Sequence, residues 1–127
     1  MHEFTASSWI VETAAREAVK SGVKEVKEVH VVVGKLSLLR VEQVEFWYDV
    51  LKEGTVLEKS KLVVSLEEGV VRCPSCGYEG PIEVVDDPAY HLVFPSLRCP
   101  RCGDLVEVVR GRDCRIVRIV AVRESSS

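Results

Sequence analysis

The chain contains no asparagine and a single glutamine, Gln43, among its 127 residues. Scarce amides beside 29% charged side chains match the composition of proteins from hot environments. No apolar run approaches the ~20 residues that a membrane-spanning helix needs. The opening Met1-His2-Glu3-Phe4 lacks the basic and apolar regions of a secretory signal. Histidine is scarce as well, limited to His2, His30 and His91. No Ser/His/Asp set, phosphate-cradling glycine loop or paired-carboxylate cleft is visible, so the sequence reads as a non-enzyme. A cytoplasmic location is expected. Net charge is −3, divided into −6 over residues 1–97 and +3 over residues 98–127. That balance disfavours a dedicated nucleic-acid binder but leaves an arginine-rich end.

Against these absences stand four cysteines in two near-identical clusters, Cys73-Pro74-Ser75-Cys76-Gly77 and Cys99-Pro100-Arg101-Cys102-Gly103. Two residues between paired cysteines let both thiolates of a knuckle reach one ion, and the glycine tolerates the φ > 0 turn that aims backbone N–H groups at sulfur. Cys73, Cys76, Cys99 and Cys102 are expected to close a tetrahedron around a structural zinc with no open position for chemistry. Reduced, metal-bound cysteines fit the cytosol. The fifth, Cys114, reads as a small buried hydrophobe.

The 46% hydrophobic residues suffice for one domain with a metal-held part, and the abundance of valine favours sheet. A helix is predicted over 5–21, with Thr5 as N-cap, Ala6, Ile10, Ala14 and Ala18 at helical spacing, Val11 and Val19 widening the apolar face, and Ser21-Gly22 as the stop. A strand follows from Lys24 to Gly34, with Val29, Val31 and Val33 on one face and His30 in a structural role. A second helix spans about 41–53, ended by Gly54. Its aromatic trio is expected to bury Trp47 and leave Phe46 or Tyr48 for contact. Glu42, Glu45, Asp49 and Glu53 make an acidic face, either merely solvated or a surface for a basic partner. Residues 61–72 read as one strand. Twenty-two residues lie between Cys76 and Cys99, with a short strand near Ile82–Val85. A last strand, Asp113 to Arg123, needs a partner, most economically the sheet left at residue 72. The fold class is therefore α+β: two helices packed on a three-stranded sheet, with an inserted zinc-ribbon-like module of two CPxCG knuckles. The predicted domains are 1–72, completed by strand 111–127, and a zinc-binding 73–110, with hinges at 70–73 and 110–113. The long connections permit a homodimer or a domain-swapped dimer.

The amino terminus is a ligand set of its own. His2 is too large for the aminopeptidase that trims initiator methionine, so Met1 is expected to keep a free α-amine. That amine and the His2 amide nitrogen close a five-membered chelate, and the same amide with His2 Nδ1 closes a six-membered one. The Glu3 amide can complete a plane. Tetragonal nitrogen ligation with a deprotonated amide is the preference of Ni(II) and Cu(II). The competing reading is a solvated terminus.

Taken in order, these features resemble the HypA family of nickel metallochaperones for [NiFe]-hydrogenase maturation. They are Met1-His2-Glu3 with the helix behind it, Val33-Gly34-Lys35-Leu36-Ser37, the helix beginning near Val41-Glu42-Gln43, and the CPxCG knuckles before a final strand. The resemblance implies that Met1, His2 and Glu3 ligate Ni(II) for transfer and that Cys73, Cys76, Cys99 and Cys102 hold structural Zn(II). It also implies a nickel-handling GTPase or P-loop ATPase and a hydrogenase large-subunit precursor as partners, with no catalysis by the chain. The long gap between knuckles resembles the archaeal branch. There a histidine in the loop can join the nickel set, making His91 an additional candidate ligand beside its reading as a surface residue. The alternatives are a zinc-ribbon nucleic-acid-binding or transcription-associated module, and a tetrathiolate iron electron carrier.

Overall fold

The computed structural model describes residues 2–82, 84–87, 92–95 and 97–123, with the backbone alone over 84–87 and 92–95. In chain order the elements are α1 (Glu3–Lys20), β1 (Val23–Gly34), a 3-10 turn (Lys35–Ser37), α2 (Val41–Leu51), β2 (Lys61–Glu67), β3 (Val70–Arg72), β4 (Glu79–Pro81), β5 (Val84–Asp87), β6 (Leu92–Pro95), β7 (Glu107–Arg110) and β8 (Cys114–Arg123). The chain divides into two compact units. One comprises Met1–Val32, Leu39–Ser65 and Cys114–Ser127; the other comprises Val33–Leu38 and Leu66–Asp113.

The first unit is built on the sheet β2-β1-β8, so the final strand does return to the sheet begun before the cysteines. Helix α1 packs against α2 and β8. Its buried residues Ala6, Ile10, Ala14 and Ala18 recur every four positions, and small alanines let the neighbouring elements approach closely. Val19, expected on that face, is 71% exposed and belongs to the solvent side. The helix also begins earlier than its sequence suggests. His2 rather than Thr5 is the N-cap, because its Nδ1 accepts the Phe4 N–H at 3.3 Å. At the other end Ser21 caps and Gly22 turns out with φ 69°.

Helix α2 corrects the reading of its aromatic trio. Tyr48 is fully buried, not Trp47, and its hydroxyl meets Ser60 Oγ, which itself donates to the Leu57 carbonyl at 2.5 Å. Tyr48 lies one turn beyond the buried Val44 and so shares its face, whereas Trp47 sits at the boundary, half-buried. Spacing alone allowed either aromatic, and the waiting hydroxyl partner favours tyrosine. Burial raises the Tyr48 phenol above its ordinary pKa, against the bond from Ser60. Ser7 Oγ donates to the Val44 carbonyl at 2.7 Å, joining the two helices through a buried bond.

In β1, Val29, Val31 and Val33 are buried as their alternation implies. His30 pairs with Glu28 at 2.9 Å. That bond holds the Glu28 carboxyl below its usual pKa.

The second unit contains the sheet β4-β3-β7 and the hairpin β5-β6. The single strand expected over 61–72 is two strands, interrupted at Glu68-Gly69. β3 pairs antiparallel with β4, Val71 opposite Gly80, and with β7, Val71 opposite Val108. The reason for the break is crowding at glycines. A Cβ on Gly69 would stand 2.4 Å from Leu36 Cγ, one on Gly34 only 2.1 Å from the Gly111 carbonyl oxygen, and one on Gly111 2.7 Å from the Glu68 oxygen. Gly111 also needs φ 90°. Three passages of chain thus cross within backbone contact, tied by Gly34 N–H to Asp113 O at 2.8 Å and Leu36 N–H to Gly111 O at 2.7 Å. Between the knuckles, the strand expected near Ile82–Val85 is displaced and doubled. β5 and β6 pair antiparallel from Val84 opposite Pro95 to Asp87 opposite Leu92.

Candidate metal centres

The two knuckles use the same local scaffold. In the first, Cys73 N–H donates to Tyr78 O at 2.7 Å and Gly77 N–H to Cys73 O at 2.9 Å; in the second, Cys99 N–H donates to Asp104 O at 2.7 Å and Gly103 N–H to Cys99 O at 2.9 Å. Gly77 and Gly103 sit at φ 80° and 82°, where a side chain would be strained. The repeat of CPxCG therefore produces a repeat in space. Each knuckle buries its first cysteine and exposes its second.

The four sulfurs converge. Cys73, Cys76, Cys99 and Cys102 Sγ all lie within 4.8 Å of one another, with Cys73 to Cys102 at 3.5 Å and Cys76 to Cys99 at 3.6 Å, and no disulfide joins them. A tetrahedron with Zn–S bonds of ~2.3 Å has edges of ~3.8 Å. The observed separations fit that cage. Burial raises the Cys99 thiol, but amide bonds from Cys102 and Arg101 outweigh it and bring the thiol down to about 7. The Asp104 backbone bond lowers Cys102, yet the crowding sulfurs of Cys73, Cys76 and Cys99 and partial burial push it up to about 12. A cation that binds among the four sulfurs displaces thiol protons as it enters. Tyr78 was not singled out in the sequence. Its carbonyl anchors the first knuckle, its hydroxyl donates to Pro81 O at 2.7 Å, and Arg101 lies 5.8 Å over its ring. The signal for it was its place five residues after Cys73, matched by Asp104 five after Cys99.

At the amino terminus the structure places His2 and Glu3 at the mouth of α1; Met1 and His91 lie outside the described residues. The first helical bond runs from Ala6 N–H to His2 O at 2.8 Å. The amides of His2 and Glu3 therefore stand before the helical ladder, so using them as ligands breaks no helical bond. His2 is exposed, with one ring nitrogen turned to the Phe4 amide. The Glu3 carboxylate does something the sequence did not suggest: its Oε1 accepts the Arg40 N–H at 3.2 Å, just ahead of α2. The starts of both helices are thereby joined. His30 is held by Glu28 in mid-strand, in keeping with a structural role. Among the described residues, the only cluster of three or more potential metal-binding side chains is the cysteine set.

Comparison with known proteins places this geometry among relatives. The family described as "Hydrogenase/urease nickel incorporation, metallochaperone, hypA" matches residues 1–121. A hydrogenase maturation factor HypA of Methanothermobacter thermautotrophicus is 41% identical over 120 residues, covering 94% of this chain and 95% of that one. Its namesake in Pyrococcus horikoshii is 33% identical over 136 residues and covers 98% of each. Among solved structures, the solution structure of the Ni metallochaperone HypA from Helicobacter pylori superposes with a TM-score of 0.69 at 18% identity, over 98% of this chain and 100% of that one. That likeness supports the shared α+β fold.

Proposed function

The chain belongs to the HypA family of nickel-incorporation metallochaperones serving hydrogenase maturation, and on that premise we propose that it carries one Ni(II) at its amino terminus and hands it to a partner. The ligands are the Met1 amine, the His2 amide nitrogen and Nδ1, and the Glu3 amide. Zinc in the cage of Cys73, Cys76, Cys99 and Cys102 is structural. The observation that carries the reading is the position of the His2 and Glu3 amides at the first turn of α1, outside its hydrogen-bond ladder. Two deprotonated amides balance the charge of Ni(II), so the positive end of the helix dipole does not oppose the loaded site. His91 is a further candidate ligand. Sulfur saturates the zinc, which leaves the open nitrogen set as the cargo site.

The receiving partners are a nickel-handling GTPase or P-loop ATPase and the hydrogenase large-subunit precursor. Protons compete for the nitrogen ligands, which bind metal only when deprotonated, so nickel affinity falls as pH drops. The test is calorimetry of the untagged chain against an N-terminally extended one and His2→Ala. Both changes should cost more than about 100-fold in nickel affinity, beyond the effect of outer-shell changes. Equal affinity in all three would remove the reading.

A further inference from the structure

Helix α2 buries one face, and its opposite face is not simply polar. Val44 and Tyr48 are buried, while Phe46 is 54% and Val50 47% exposed. Phe46 and Val50 stand four residues apart and share a side of the helix. Trp47 links Phe46 to Phe4 on α1, edge-on to each with ring centroids 5.1 Å apart. Phe4 is itself 42% exposed. The rings brace one another, so this apolar surface is largely ordered before anything binds, and ordering it costs little on association. Exposed aromatics of this kind anchor protein interfaces.

The rim gives the partner's chemistry. Val41–Leu51 contains no lysine or arginine. Glu42 and Glu45 are exposed and form no ion pair among the described residues. Asp49 is paired with Lys52 at 3.1 Å. An acidic rim repels anionic lipid and nucleic-acid phosphate. It also disfavours a second copy, because a two-fold contact sets each acidic rim against itself. Position supplies the link to function. Phe4 follows His2 and Glu3 directly, and its amide donates to His2 Nδ1.

We infer that the stripe Phe4–Trp47–Phe46–Val50 is the docking surface for the protein that receives the metal, and that this protein presents an apolar ridge flanked by lysine or arginine. The inference rests on the amino-terminal nickel reading. It places the acceptor's ligands beside the donor's, so that transfer occurs within the docked complex.

The test titrates the untagged full chain with the purified nickel-handling NTPase of its own pathway, at low and high salt. Phe46→Ala with Val50→Ala should weaken binding by about tenfold or more. Glu42→Gln with Glu45→Gln should weaken it at low salt and abolish the salt dependence. Melting temperature and calorimetric nickel affinity of both variants should match the parent. Partner affinity within about twofold of the parent in both variants, or no binding by the parent itself, would overturn the inference. So would a dimer in sedimentation that Phe46→Ala dissolves, since the occupant would then be a second copy. Loss of partner binding in the stripe variants, alongside nickel affinity indifferent to an N-terminal extension, would uphold the surface and bring down the nickel site instead.

Discussion

The two compact units hold themselves together by different means. In the first, Ala6, Ile10, Ala14, Ala18, Val26, Val29, Val31, Val44, Tyr48 and Leu57 are buried at 3% exposure or less, a contiguous apolar core shared by helices and sheet. In the second, the buried side chains among the described residues are Val33, Leu36, Val71, Cys73 and Cys99. Two of those five are candidate metal ligands. The first unit is held by exclusion of water; in the second, a metal in the proposed cysteine cage would supply the cross-link. A small loop-rich module can be rigid without a core of its own, provided an ion supplies the cross-link.

Chelation is the strongest way to break that contrast. Structural zinc in small metal-held domains contributes apparent energies of ~10–16 kcal/mol at neutral pH, so if the four cysteines hold zinc as proposed, chelation should collapse the dispersed amide resonances of Leu66–Asp113. Those of α1 and α2 should persist. Simultaneous loss of both sets would show that coordination holds the whole chain. Gly34→Ala comes next. Its Cβ has only Gly111 backbone to displace, and a loss of about 4 kcal/mol is expected in denaturant melts. A near-neutral effect would mean the glycine crossing is looser than its distances imply. Ile10→Ala is the reciprocal of chelation: it should cost ~2–5 kcal/mol of the first unit's stability while leaving zinc affinity unchanged. A matching drop in zinc affinity would couple the two. Tyr48→Phe sharpens the picture of the apolar core. It removes one buried hydroxyl whose partner Ser60 retains Leu57, so ~1 kcal/mol is expected in the same melts.

What could be read from the chain before folding differs between the units in the same sense. The helices and β1 were legible because apolar periodicity reports burial directly, and the cage was legible because ligand spacing is set by the reach of two thiolates. The misreadings share a cause. His2 as a cap, Tyr48 in place of Trp47, and the split of 61–72 into two strands each depend on a partner distant in sequence or on a side-chain bond that propensity does not encode. Leu36 against Gly69 and Glu3 against Arg40 are contacts across more than thirty residues. Composition also pointed correctly toward heat-adapted kin, as relatives in Methanothermobacter and Pyrococcus bear out.

One lone pair at the head of α1 has two claimants, the Phe4 amide and, in the proposed carrier, the metal. Nδ1 of His2 keeps the Phe4 amide satisfied at the first turn. Any cation that takes this nitrogen must leave that amide to water, at roughly 0.5 kcal/mol or a little more for a long cap bond. For the proposed site that is about a factor of two in affinity, lost on binding and regained on release. In the proposed carrier, an end that is already capped without metal would give up its load to a shape it prefers.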